Sequence, residues 1–158
     1  MTTRLRSAPV IGIAVVLAVL IAWVVYALVF THQEREVAVP RDDASPEKVV
    51  TAFIDALNAH DCETASQLEA TGVDIAKGWC EDVAGLSDLR TSKPFREESQ
   101  EYGHDASQQV VHVGVTFDLD WRWLRSDGSM PEGPTAWGYL LERTSDDAPW
   151  RISDQGVA

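Results

Sequence analysis

The stretch Val110–Leu124, VVHVGVTFDLDWRWL, decides the fold of this chain. Its apolar residues fall at every second position, and these are Val111, Val113, Val115, Phe117, Leu119, Trp121 and Trp123. The positions between them are mostly polar and include His112, Asp118 and Asp120. Because successive side chains of a strand point to opposite faces of a sheet, this alternation predicts a long antiparallel strand with one buried face and one solvated face.

A helical pattern precedes this strand. Ser45, Pro46 and Glu47 are a typical helix start, since serine can cap the first amides, proline suits the first turn and an acid complements the helix dipole. Apolar residues then recur at helical spacing, namely Val49, Val50, Phe53, Ile54 and Leu57. Two shorter helices are predicted next, one that Asp61 caps and that runs to about Leu68, and one over residues 75–83.

Further strands are predicted on both sides of the central one. Residues 86–102 predict a strand or two, and residues 136–144 and 150–153 predict the last two. Helices followed by a run of antiparallel strands indicate an α+β domain in which a curved sheet wraps around the first helix.

The two ends of this domain carry a resemblance. Residues 45–68, SPEKVVTAFIDALNAHDCETASQL, resemble the first helices of the nuclear transport factor 2-like superfamily, also called the cystatin-like or SnoaL-like cone. Residues 138–158, GYLLERTSDDAPWRISDQGVA, are similar to the last hairpin of that superfamily, with its Trp-Arg-Ile at Trp150, Arg151 and Ile152. The resemblance covers about residues 45–157 and implies the cone fold more than any one function.

Residues 10–30 form an apolar run of 21 positions without a charge. At about 1.5 Å per residue, a helix of this length spans roughly 30 Å, the thickness of a bilayer core. We expect a single-pass transmembrane helix, with Trp23 and Tyr26 at an interface. A cleaved signal peptide is the alternative, although the apolar run is longer than an ordinary signal core.

This segment divides the chain into four parts. We expect a short cytoplasmic tail at residues 1–9, the membrane helix at 10–30, a stalk at 31–44 and an extracytoplasmic α+β domain at 45–158. The basic residues Arg4 and Arg6 favour an N-terminus inside the cell, although Arg35 and Arg41 follow the helix closely. The predicted location is therefore the cell membrane, with the C-terminal domain outside the cytoplasm.

The charge of the chain disfavours nucleic-acid binding. The formal net charge is −12, and because Arg4 and Arg6 are the only charged residues among the first 30, residues 31–158 carry −14. A domain this acidic repels phosphate backbones. Solubility of an exposed domain and an acidic docking face are both consistent with this charge.

No catalytic, cofactor or metal site is predicted. Enzymes of the resembled superfamily, such as ketosteroid isomerase-like and dehydratase-like proteins, place Asp, Tyr or His on the inward face of the cone. Here the inward-reading face of the central strand is aliphatic and aromatic, and the four histidines, His32, His60, His104 and His112, have no metal-ligand spacing. This pattern argues against catalysis.

The two cysteines, Cys62 and Cys80, lie 18 positions apart at the predicted second and third helices. Two short antiparallel helices would bring them within bridging distance, and an oxidising compartment favours pairing. We predict a disulfide, with a pair of reduced thiols as the expectation for a cytosolic chain.

One cluster is a candidate pocket or contact patch, and its members are Trp121, Trp123, Trp137 and Tyr139. Such aromatics supply a large rigid surface with polar handles. Ordinary core filling is the competing interpretation.

The sequence thus predicts a membrane-anchored extracytoplasmic binding or assembly module of the bacterial cell envelope, without catalysis. Its expected partners are the lipid bilayer through residues 10–30 and an envelope protein or a second copy. Inner-membrane subunits of type IV secretion machines have a similar layout. The alternatives are a small-molecule-binding protein or enzyme that uses the cone cavity through Asp55, Asn58, Tyr102 or Tyr139, and a domain that only spaces its neighbours.

Overall fold

The computed structural model describes residues 16–24, 35–103, 107–122, 125 and 130–157. Residues 16–24 form a helix (α1) whose side chains are exposed. Within the described residues, no helix is both long enough and apolar enough to cross a membrane. The rest of the predicted span, residues 10–15 and 25–30, lies outside the described residues, as does the predicted tail at 1–9.

Residues 34–158 form a compact unit of their own. In its described part, three α-helices come first: α2 (Pro46–Asn58), α3 (Cys62–Gln67) and α4 (Ala76–Asp82). Five strands follow: β1 (Val83–Thr91), β2 (Phe95–Glu97), β3 (Gln109–Trp121), β4 (Gly133–Arg143) and β5 (Arg151–Gly156). A 3₁₀ turn, Ser99–Tyr102, lies between β2 and β3. The predicted α+β class is confirmed.

The helix starts differ from the predictions in detail. Pro46 occupies the first turn of α2 as expected, but the Ser45 hydroxyl makes no capping hydrogen bond. The Ser45 carbonyl instead accepts hydrogen bonds from the amides of Lys48 and Val49, at 3.0 and 3.2 Å. The third predicted helix ends at Asp82 rather than at Val83, because Val83 is already the first residue of β1.

Strand β3 is the centre of the sheet, whose order is β1-β3-β4-β5, with β2 also paired to β3. All pairs are antiparallel. The β3–β4 hairpin runs without a register shift from Gln109 opposite Arg143 to Leu119 opposite Gly133. Strand β4 therefore begins three residues earlier than the predicted residue 136.

The helices cover one face of this sheet, here called the inner face. The apolar stripe of α2 packs on buried residues of β3, which are Val111, Val113, Val115, Phe117 and Leu119. The predicted buried face of β3 is thus confirmed. The other face, the outer face, was predicted to be solvated, and this is wrong at its end near β2 and β5, where Val110 is 0% and Leu140 is 8% exposed.

The described part of the predicted stalk, residues 35–44, has neither helix nor strand and yet contacts the domain. The Val37 amide donates to Asp61 Oδ2 at 2.8 Å, and the side chains of Val37 and Ala44 pack against the core. The chain is therefore held to the domain before α2 begins.

Candidate functional site

Cys62 and Cys80 form a disulfide with their Cα atoms 5.8 Å apart, as the sequence predicted. The bridge joins the first residue of α3 to the last turn of α4. Cys80 is buried in the core, whereas Cys62 lies at the surface. Because helices of six and seven residues are marginal by themselves, the crosslink stabilises their packing.

Two carboxylates stabilise the same part of the domain, the region of α3 and α4. Asp61 caps α3 by accepting the Thr64 amide at 3.1 Å, and it also holds Val37. Partial burial raises the pKa of Asp61, but the hydrogen bonds from Val37 and Thr64 outweigh it and leave the pKa below its ordinary value. Buried Glu69 accepts the amide of Ala76 at 2.6 Å, and burial raises its pKa. Both carboxylates accept hydrogen bonds from backbone amides, so their role is to stabilise the fold.

Trp79 of α4 lies at the centre of the predicted aromatic patch, although the prediction did not include this residue. The Trp79 ring lies 6.2 Å from that of Trp121 and 6.0 Å from that of Trp137. Trp121 Nε1 donates to the Met130 carbonyl at 3.0 Å. The predicted helix over residues 75–83 includes Trp79, but helical spacing could not show which strands this residue contacts. Trp123 lies outside the described residues.

Tyr139, the remaining member of that patch, is fully buried on the inner face. Its ring contacts Phe53 edge to face at 5.6 Å. Among the described residues its hydroxyl has no hydrogen-bond partner, and burial raises its pKa. Tyr139, Trp121 and Trp137 therefore pack in or against the core, which favours the core-filling interpretation.

The polar side chains that the alternative function, a small-molecule-binding protein or enzyme, would use do not lie together in one site. Asp55 is exposed on α2, and Asn58 uses its Oδ1 to accept the Leu86 amide at 3.0 Å. Tyr102 lies at the end of the 3₁₀ turn and lines the outer face, whereas Tyr139 faces inward. Within the described residues, no group of three His, Cys, Asp or Glu side chains could hold a metal ion.

The best candidate site is a groove of about 390 Å³ on the outer face, here called the outer groove. Strands β3, β4 and β5 form its floor, and the segment around the 3₁₀ turn forms one wall. Its principal lining residues are Glu97, Tyr102, His112, Gly138, Leu140 and Asp154. The alternation along β3 predicts a solvated His112, and local spacing does not group these residues.

The floor of the outer groove depends on a glycine. Gly138 lies opposite Gly114 on β3, and the His112 side chain lies over it. A Cβ atom at position 138 would clash with His112 Nε2. Glycine thus leaves room for the imidazole over the β4 backbone, and a side chain at position 138 would displace it.

Exposed aromatic and acidic side chains border this floor. Phe95 pairs with His112 in register and is 66% exposed, and Tyr102 is 44% exposed. Partial burial, followed by the charges of Glu97 and Glu101, raises the pKa of the Tyr102 hydroxyl. Glu97 and Tyr102 line the same groove, which therefore combines apolar surface with negative charge.

A second groove of about 390 Å³ lies farther along the sheet and is lined by residues that include Asp88, Arg90 and Asp118. Arg90 offsets part of its acidic charge, and the described residues that line it include no exposed aromatic residue. It is therefore a weaker candidate than the outer groove.

The fold and groove define the class of this chain as an α+β domain with helices on one face of an antiparallel sheet and a groove on the other. Comparison with protein-family models finds no match, and comparison with curated proteins finds none either. Among solved structures, the chain is similar to the solution structure of a SEC-C motif containing protein from Rhodopseudomonas palustris. The identity is 17%, the TM-score is 0.43, and the match covers 75% of this chain and 82% of the other.

Proposed function

We propose that this chain is a membrane-anchored extracytoplasmic module of the bacterial cell envelope that binds a partner and does no catalysis. The observation that carries the proposal is the outer groove on the face of the sheet opposite α2, α3 and α4. The exposed ring of Tyr102 lines this groove, and the exposed ring of Phe95 lies on the same face, where Phe95 pairs with His112. Exposed apolar surface of this kind commonly marks an interaction site.

The location in this proposal has two supports. The apolar run at residues 10–30 has the length of a membrane span. The Cys62–Cys80 disulfide is typical of an oxidising compartment. Membership of the nuclear transport factor 2-like superfamily is part of the same proposal and is supported by the order of helices and strands.

The absence of catalysis is supported by the chemistry of the inner face. The side chains that β3 turns toward the helices are apolar. The buried hydroxyl of Tyr139 near them has no hydrogen-bond partner in the described part of the chain. A general acid or base needs such a partner to tune its pKa.

A photocrosslinking experiment in the native cell tests this function. A photoreactive amino acid replaces Phe95 at the outer groove, and a matched variant carries it at Lys77, which is exposed on α4 of the helical layer. We expect a protein adduct from position 95 and none from position 77. Equal adducts from both positions, or none from position 95, would contradict binding through the outer face.

Two further measurements test the location. Thiol labelling of the denatured, non-reduced protein from the native cell should modify neither Cys62 nor Cys80, and a reporter fused after Ala158 should be active only outside the cytoplasm. Labelling of both cysteines, or a reporter active only inside, would overturn the proposed topology. Recovery of a mature chain that begins near Leu28 would replace the anchor with a signal peptide.

A further inference from the structure

We propose that the outer groove binds an extended peptide segment of a partner protein that carries arginine or lysine side chains at both ends of an apolar residue. This inference rests on the proposed binding function and names the chemistry of the partner. Three features of the groove support it: the charge at its two ends, the apolar surface between them and its length.

The two ends of the groove are acidic. Glu97 of β2 forms one end, and Asp154 of β5 forms the other. No lysine or arginine side chain is among the described residues that line the groove. A partner segment with two cationic side chains would therefore be complementary to it in charge.

The middle of the groove is apolar and aromatic. The Leu140 side chain lies on the floor and the exposed Tyr102 ring lines the groove. The exposed Phe95 ring lies at the β2 edge of the same face, where Phe95 pairs with His112. Such rings can contact the aliphatic stem of an arginine or lysine, and the guanidinium can lie over a ring face. The floor therefore favours an apolar side chain flanked by long cationic ones.

The length of the groove suits an extended chain. It crosses from β2 over β3 and β4 to β5, and three strand spacings of about 4.8 Å amount to about 14 Å. An extended peptide rises about 3.3 Å per residue, so that residues i and i+4 are about 13 Å apart and point to the same face. Glu97 and Asp154 are also offset by two residues along the strands. The long side chains of cationic residues at i and i+4 can cover this offset, with an apolar residue at i+2 over the floor.

A second copy of this chain fits the groove less well. Residues 31–158 carry a formal charge of −14, so two copies that met at this acidic face would repel each other. A basic segment from a different protein avoids this repulsion.

The test measures binding of the full-length chain to a rhodamine-labelled peptide, Gly-Arg-Ser-Leu-Ser-Arg-Gly, by fluorescence anisotropy at physiological ionic strength. A peptide of the same composition with adjacent arginines, Gly-Leu-Arg-Arg-Ser-Ser-Gly, is the control for spacing. We expect the first peptide to bind more tightly, because only its arginines point to one face in an extended chain.

Two double variants test the site. Glu97→Gln with Asp154→Asn should weaken binding about fivefold to tenfold, the loss expected for two partly exposed ion pairs. Asp88→Asn with Asp118→Asn removes the same charge from the same face outside the groove and should change affinity by less than about twofold. The Asp154→Asn change keeps the side-chain oxygen that accepts a hydrogen bond from the Gln155 amide. Equal melting temperatures of both double variants and the natural chain would establish that the fold is kept.

Three outcomes would overturn the inference: no binding of either peptide, equal binding of both, or equal weakening by the two double variants. A dimer in sedimentation that Phe95→Ala dissociates would also overturn it and make the second copy the occupant. If the peptide fails to bind but position 95 still crosslinks a partner in the cell, only this inference fails. If the peptide binds and no partner is crosslinked, the proposed function fails instead.

Discussion

Removal of the Cys62–Cys80 disulfide should lower the free energy of unfolding by about 3 kcal/mol. The two cysteines are 18 positions apart, and the chain-entropy relation for closing a loop of this length gives about 3 kcal/mol at 25 °C. For a unit the size of residues 34–158, that loss corresponds to a fall in melting temperature of roughly 10 °C.

The measurement is urea unfolding of the full-length chain with and without a thiol reductant, followed by tryptophan fluorescence. Trp79 is a suitable reporter because it lies next to Cys80 and packs against Phe117, Trp121 and Trp137. The midpoint should fall on reduction, and the dependence on urea should stay the same or rise, because the unfolded chain without the crosslink is less compact.

The Cys62→Ala variant distinguishes the effect of the crosslink on stability from the effect of the cysteine side chain. Cys62 is exposed, so in the presence of reductant this variant should unfold at nearly the same urea concentration as the reduced natural chain. A difference of less than about 1 kcal/mol between the oxidised and reduced natural chains would refute the reasoning. The packing of α3 and α4 would then depend on Asp61, Glu69 and the core rather than on the disulfide.

Three further changes test the core and the region of α3 and α4. Tyr139→Phe should leave the melting temperature unchanged or raise it, because the buried hydroxyl has no partner among the described residues and a buried unpaired polar group costs about 1–3 kcal/mol; a clear fall would reveal a hydrogen bond. Asp61→Asn should remove stability that is present at neutral pH and is lost below about pH 4, because the folded pKa of Asp61 is lowered; urea titrations at several pH values would detect it, and an unchanged pH profile would contradict it. Trp79→Ala should cost about 3–5 kcal/mol of unfolding free energy, and partly exposed Trp121→Ala less; the reverse order would place the centre of the aromatic cluster at Trp121.

Local periodicity predicted much of the fold. The alternation over residues 110–124 identified β3 and its buried face, and the helical spacing after Ser45 identified α2. The pairing of Cys62 with Cys80 followed from helices close in the sequence. These features depend on residues that are close together in the sequence, so the pattern of a single sequence can predict them.

The candidate site could not be predicted in the same way. The outer groove joins Glu97, His112, Gly138 and Asp154, which lie on four strands. Their proximity depends on the pairing register of β2, β3, β4 and β5, and on the absence of a Cβ atom at Gly138. A shift of one residue in any register would turn these side chains to the opposite face.

The sequence by itself determined the elements, the buried face of β3 and the cysteine pair, because each is set by local spacing and composition. The tertiary structure alone decided that Trp79 organises the aromatic cluster and that the outer face, opposite α2, α3 and α4, holds an acidic, aromatic groove. The physical reason is that helix and strand patterns arise from backbone geometry over short distances. A site on a sheet arises from side chains that only the strand pairing brings together.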